Sequence, residues 1–173
     1  MLLPVTAALS QSYTYTIAGL VGVGDSLDET DAGFGIPTWQ LTFTSDIAEK
    51  TYFAARVGGM HWGSDDQLAE AFGPSLYYVV LAGEYRETRA SFSGGFVEPG
   101  VYLGIGYYSL DGQDENGQSL SEGAPGLAVG ITGDIPLNQR RNFVLRTELA
   151  AHYAALEVAQ LFGKIHVGLS YRV

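Results

Sequence analysis

Apolar and non-apolar residues alternate with a period of two along almost the whole chain, and this pattern restricts its folding options more than any other feature. Eight alternating segments stand out, at approximately 12–24, 38–45, 51–63, 76–87, 99–109, 125–133, 142–153 and 161–172. Gly, Pro, Asp, Asn and Ser punctuate the gaps between them, as turn residues do. Successive side chains of a strand point to opposite faces, so each segment predicts a β-strand with one apolar face. The second segment sets Trp39, Leu41 and Phe43 against Gln40, Thr42 and Thr44; the seventh sets Phe143, Leu145 and Leu149 against Arg146, Glu148 and His152. Joined in order, eight such strands predict an all-β fold, an eight-stranded antiparallel up-and-down β-barrel occupying 11–173 as one domain. Only 65–72 and 153–162 carry helical spacing, and each is short enough to decorate a loop. Residues 1–10 read as the tail of a secretory signal or a flexible N-terminus.

Alternation alone does not say which face points inward. A soluble barrel puts its apolar face inside; a membrane barrel puts it outside. The polar face decides between them, because the outer wall of a soluble barrel must be hydrated and rich in Lys and Glu. Here that face is mostly Gly, Ala, Ser, Thr and Tyr, and only 16% of the whole chain is charged, against roughly 25% in an average soluble domain. Its charges are of both signs: Arg56, Glu84, Arg86, Arg146, Glu148, Lys164 and Arg172, with His166 beside them. Small residues and paired charges suit the narrow interior of an eight-stranded barrel, so these eight residues are expected to form a lumen charge network. The Leu, Val, Ile, Phe, Trp and Tyr of the other face suit lipid, making the barrel transmembrane.

The connections divide by charge. Those after the first, third, fifth and seventh segments (25–37, 64–75, 110–124 and 154–159) hold twelve acids and no Lys or Arg. Those after the second, fourth and sixth (45–50, 87–98 and 133–141) hold five acids and four bases. One rim is therefore purely acidic, and its mostly longer loops place it on the extracellular side. Asp25, Asp28, Glu29, Asp31, Asp65, Asp66, Asp111, Asp114 and Glu115 are expected in these extracellular loops. The stretch 87–98 is long for a periplasmic turn.

The chain resembles the eight-stranded outer-membrane β-barrels of diderm bacteria, the broad OmpA/OmpX-like group, over residues 11–173. The most specific part is the last strand, Ile165-His-Val-Gly-Leu-Ser-Tyr-Arg-Val173, which is similar to the terminal signal read by the barrel assembly machinery. That signal usually ends in Phe or Tyr, and here the final residue is Val173. The Arg146-Thr-Glu148 strand with His152 also looks like the penultimate strand of this group. The resemblance implies residence in the outer membrane of a Gram-negative cell, with the assembly machinery, outer-membrane lipids and lipopolysaccharide as partners. Ca²⁺ or Mg²⁺ bridging the loop carboxylates to lipopolysaccharide would supply the last contact.

Enzymatic readings find little support. Lipid A deacylases of this architecture use a His-x-Ser arrangement with a Glu; this chain has His152-Tyr153-Ala154, so the nucleophile position is Ala, and Glu157 alone does not restore it. His61, His152 and His166 lie on different segments without ligand spacing, and the acidic loops do not match the EF-hand pattern. Gly19-x-x-Gly22 and Gly104-x-Gly106 sit inside strands and precede no helix, which removes the dinucleotide reading. No cysteine is present and the formal net charge is −10, which excludes thiol chemistry, disulfides and nucleic-acid binding. The expectation is thus a non-enzymatic barrel without cofactor, with a side-chain-filled lumen and a structural or surface-interaction role. The alternatives are a narrow channel or hydrophobic small-molecule conduit, and a soluble lipocalin-like binding barrel.

Overall fold

The computed structural model describes residues 15–27, 36–61, 71–87, 91–92, 95–114, 117–157 and 160–173. All eight alternating segments become strands of one closed barrel: β1 (Tyr15–Ser26), β2 (Ile36–Ala48), β3 (Thr51–His61), β4 (Ala71–Arg86), β5 (Glu98–Asp114), β6 (Ser119–Pro136), β7 (Phe143–Ala154) and β8 (Leu161–Arg172). Every strand pairs antiparallel with its sequence neighbours, and β1 closes the ring against β8 over Thr16↔Arg172 to Ser26↔Phe162. No strand edge is left along the wall, which is the condition for crossing a bilayer with sheet. No helix occurs among the described residues.

Along the middle of each strand the even-numbered residues are buried and the odd-numbered ones exposed. The exposed set is a continuous apolar belt that includes Val21, Leu41, Leu103, Ile105, Val129 and Leu169. Aromatic rings border it at both ends. Tyr15, Phe43, Phe53, Tyr85, Phe143 and Tyr171 ring the end that carries the β2–β3, β4–β5 and β6–β7 turns; Trp39, Tyr77, Tyr107 and Tyr153 ring the other, loop-bearing end. Tyr15 stacks on Phe43 at 6.2 Å between centroids, and Phe143 meets Tyr171 edge-on at 5.1 Å. Amphipathic rings belong where hydrocarbon gives way to water. The apolar face is outside, so a soluble lipocalin-like barrel is excluded.

Three strands run longer than their alternation suggests. β4, β5 and β6 have 16, 17 and 18 residues, against 11 to 13 for the others. At the loop end β3 stops pairing with β4 at Ser75 and β7 stops pairing with β6 at Gly126, while β5 pairs with β6 as far as Gln113↔Ser119. The stretch 110–124, expected as a loop, is therefore largely a β5–β6 hairpin that projects beyond the wall. Once a hairpin leaves lipid both its faces are hydrated, and the apolar alternation that marks a strand disappears. At the turn end β5 begins at Glu98 and β6 continues to Pro136, so Glu98 and Asp134 lie in strands, not in connections. Within the long 87–98 connection, Ser91–Phe92 pairs with Gly95–Phe96 as a short hairpin.

Candidate functional site

Among the described residues, the lumen gathers the largest set of charged side chains. Arg56, Glu84, Arg86, Arg146, Glu148, Lys164, His166 and Arg172 all point into it and are buried. Two further acids join them, Glu98 and Asp134. This network thus sets five bases against four acids among the described residues.

Glu84 of β4 is the hub. Its Oε1 accepts from Arg86 Nε and Arg146 Nη2, each at 2.6 Å, and its Oε2 accepts from Arg56 Nη2 at 2.5 Å. One carboxylate therefore holds guanidinium groups from β3, β4 and β7, and charge-assisted bonds of this kind are the strongest available to a buried ion. Asp134 on β6 extends the cluster toward the turn end: its Oδ2 lies 3.6 Å from both Arg86 and Arg146 and accepts from Arg172 at 2.9 Å. Arg172 also meets Glu98 at 2.7 Å, which ties β8 to β5 and β6.

Nearer mid-barrel a second group surrounds Glu148. Gln40 Nε2 and the Tyr102 hydroxyl both donate to Glu148 Oε1 at 3.1 Å, and the Lys164 ammonium stands 3.8 Å away. Lys164 donates to Gln40 Oε1 and to the Tyr78 hydroxyl oxygen, each at 2.5 Å, and Tyr78 in turn donates to Gln40 Oε1 at 2.9 Å. The Arg56 guanidinium lies 3.6 Å over the Tyr102 ring and links the two groups. Gln40, Tyr78 and Tyr102 were unmarked by sequence reasoning. Their signal was present, since each is a large polar residue on an inward position otherwise given to Gly, Ala and Thr.

Toward the loop end the lumen turns apolar. His166 Nε2 bonds Thr38 Oγ1 at 2.7 Å, and His152 Nδ1 bonds the Tyr108 hydroxyl at 2.8 Å. Beyond them Ile36, Met60, Leu76, Leu110, Leu156 and Phe162 are packed as a buried plug. His61 is separate from both, pairing with Ser75 at 2.6 Å. The three histidines do not converge, and the described residues contain no cluster of three or more metal-ligating side chains. The hydroxyl bonded to His152 belongs to buried Tyr108.

The acidic loop residues divide differently. Asp25, expected in a loop, is the penultimate residue of β1: it is 8% exposed and its Oδ1 accepts the Ser26 N–H at 2.7 Å. Asp111, also expected in a loop, is an exposed residue of the projecting β5, bonded to Ser121 at 2.8 Å. Asp114 is the last residue of β5. Asp28, Glu29, Asp31, Asp65, Asp66 and Glu115 lie outside the described residues. At the turn end Lys50 donates to Glu87 Oε1 at 2.8 Å, and this hydrogen bond holds the Glu87 carboxyl below the usual carboxylate range and the Lys50 ammonium above its own.

No family model matches the chain, and no curated protein does. Solved structures do. Neisserial surface protein A is similar at a TM-score of 0.72 with 11% identity, covering 92% of this chain and 97% of that one. The outer membrane protein OprG of Pseudomonas aeruginosa is similar at 0.60 with 14% identity (94% and 96% covered), and the attachment invasion locus protein Ail of Yersinia pestis at 0.57 with 17% identity (91% and 98% covered). The chain has the fold of the eight-stranded outer-membrane barrels, the OmpA/OmpX-like group.

Proposed function

We propose that this protein is a non-enzymatic integral barrel of a bacterial outer membrane, with a lumen packed shut by side chains and a role in envelope support or surface contact. The observation that carries the reading is the inverted wall: an apolar belt with two aromatic rings outside, and an interlocked ion-pair cluster around Glu84 and Glu148 inside. An eight-stranded interior is just wide enough for side chains to fill. Five of these charged side chains, Arg56, Glu84, Asp134, Arg146 and Glu148, are fully enclosed, and the plug of apolar side chains lies on their loop-end side. Against an enzymatic role, His152 is buried against Tyr108 and Ala154 offers no hydroxyl.

The loop end is read as extracellular. Ail has been crystallised with the heparin analogue sucrose octasulfate; a polyanion of that kind would be repelled here, because the loop-end connections are acidic and contain no Lys or Arg. Surface contacts of this chain would be to cationic partners, or to lipopolysaccharide through Ca²⁺ or Mg²⁺. The last strand, β8, is the element the assembly machinery would read.

A narrow channel is the second reading, favoured by inward-facing polar atoms without a protein partner, among them Thr132 Oγ1, Ser170 Oγ and Asp134 Oδ1. Water is the usual partner of such groups. Folding into detergent, a heat-dependent shift in gel mobility and recording in a planar bilayer separate the two. The closed-lumen reading expects the mobility shift and a silent bilayer; discrete conductance steps that change in Arg146→Ala or Glu148→Gln would replace it with the channel. Unchanged thermal stability on adding millimolar Ca²⁺ would remove the cation-bridged contact.

A further inference from the structure

The outer wall is concave toward the loop end. There a groove of about 680 Å³ crosses β4 to β7, walled by Val79, Ile105 and Leu127 and flanked by the rings of Tyr107 and Tyr153. It forms because two outward positions there carry short side chains, Pro125 and Ala155, among long neighbours. β7 ends at Ala154, so a β6 residue at this level would normally present an unpaired N–H to hydrocarbon. Pro125 has no N–H, and its carbonyl accepts the Ala155 N–H at 3.1 Å. The groove floor therefore carries no unmet backbone group at Pro125, as a surface wetted by hydrocarbon requires.

We propose that this groove binds one acyl chain of a lipid in the loop-side leaflet. The apolar walls offer nothing to a headgroup, and the groove is continuous with the lipid-facing belt. A second barrel presents a convex wall that cannot reach the floor, whereas a single flexible chain can follow it. Lipid tails gain no hydrophobic energy by leaving other tails. The preference comes from dispersion contacts that the lining forfeits when nothing fills it.

The proposal rests on the membrane-spanning reading, and the experiment separates the two. The full chain is folded into dimyristoyl phosphatidylcholine vesicles, floated with them, extracted in mild detergent and weighed by native mass spectrometry. Failure to float would overturn the membrane reading itself. With flotation, the expected result is one retained lipid per chain, lost in Leu127→Trp, which fills the groove, and kept in Leu103→Trp, which places the same ring elsewhere on the belt. Gel mobility shifts confirm that both variants fold. Absence of a retained lipid, equal retention in Leu127→Trp, equal retention of the dihexanoyl lipid, or a dimer that Leu127→Trp abolishes would each overturn the acyl-chain site.

Discussion

Glu84 takes three guanidinium groups on two oxygens, so its single charge decides the electrostatics of the cluster around it. Glu84→Gln keeps the shape and removes that charge, leaving Arg56, Arg86 and Arg146 buried with only the longer contacts to Glu148 and Asp134. Breaking a buried pair from one side costs about 3–5 kcal/mol, and the loss should appear as a lowered urea midpoint for the vesicle-folded barrel. The half-exposed Lys50–Glu87 pair at the turn end tests the opposite regime. Lys50 lowers the Glu87 pKa, so the stability this pair contributes is present above the ordinary carboxylate range and lost as pH falls through the lowered folded value. Carboxyl NMR titration should place the Glu87 midpoint below that of a free Glu, and Lys50→Met should return it. The inward bases were legible in the sequence because each charge interrupts a run of small residues on a face opposite Leu and Val. Glu98 and Asp134 were not: Glu98 precedes Pro99 and Asp134 follows Gly133, and turn-forming neighbours made two lumen acids look like turn acids.

The seam between β1 and β8 is the element on which closure depends. Gly22 stands opposite His166 in this register, and a methyl group built on it would fall onto the Ile165 carbonyl oxygen. Backbone cannot yield as a side-chain tip can, so Gly22→Ala must push the two strands apart, at a cost of about 1–3 kcal/mol typical of overpacking. Gly19 is on the same strand, yet its nearest neighbour would be the Leu41 side chain at 3.9 Å, an ordinary contact. Gly19→Ala should leave the heat-dependent mobility shift at its wild-type temperature while Gly22→Ala lowers it. Alternation told where each of the eight strands crosses the belt, since burial in lipid on one side and lumen on the other enforces it. It did not tell how far β4, β5 and β6 continue, because the β5–β6 hairpin beyond Leu110 has water on both sides and no reason to alternate. Asp25 shows the same limit from the other direction, a carboxylate that reads as a loop residue but caps the end of β1.

At the scale of the whole molecule the two ends are chemically unequal, and orientation follows from that inequality. The loop-end connections hold acids alone, whereas Lys50, Arg89, Arg140 and Arg141 all belong to the turn-end connections. The chain contains no cysteine, so one introduced thiol reports one end without background. Ser119 opens β6 on the projecting hairpin and Gln139 lies in the β6–β7 turn, and both are exposed. In intact cells a membrane-impermeant maleimide should label Ser119→Cys; Gln139→Cys should react only after the outer membrane is disrupted. The reverse pattern would turn the barrel over and put the acidic rim in the periplasm. Reaction of both in intact cells would mean that the outer membrane does not separate the two ends. Neither substitution touches the lumen cluster or the β1–β8 seam, so a labelling difference reads the position of the ends and not the stability of the wall between them.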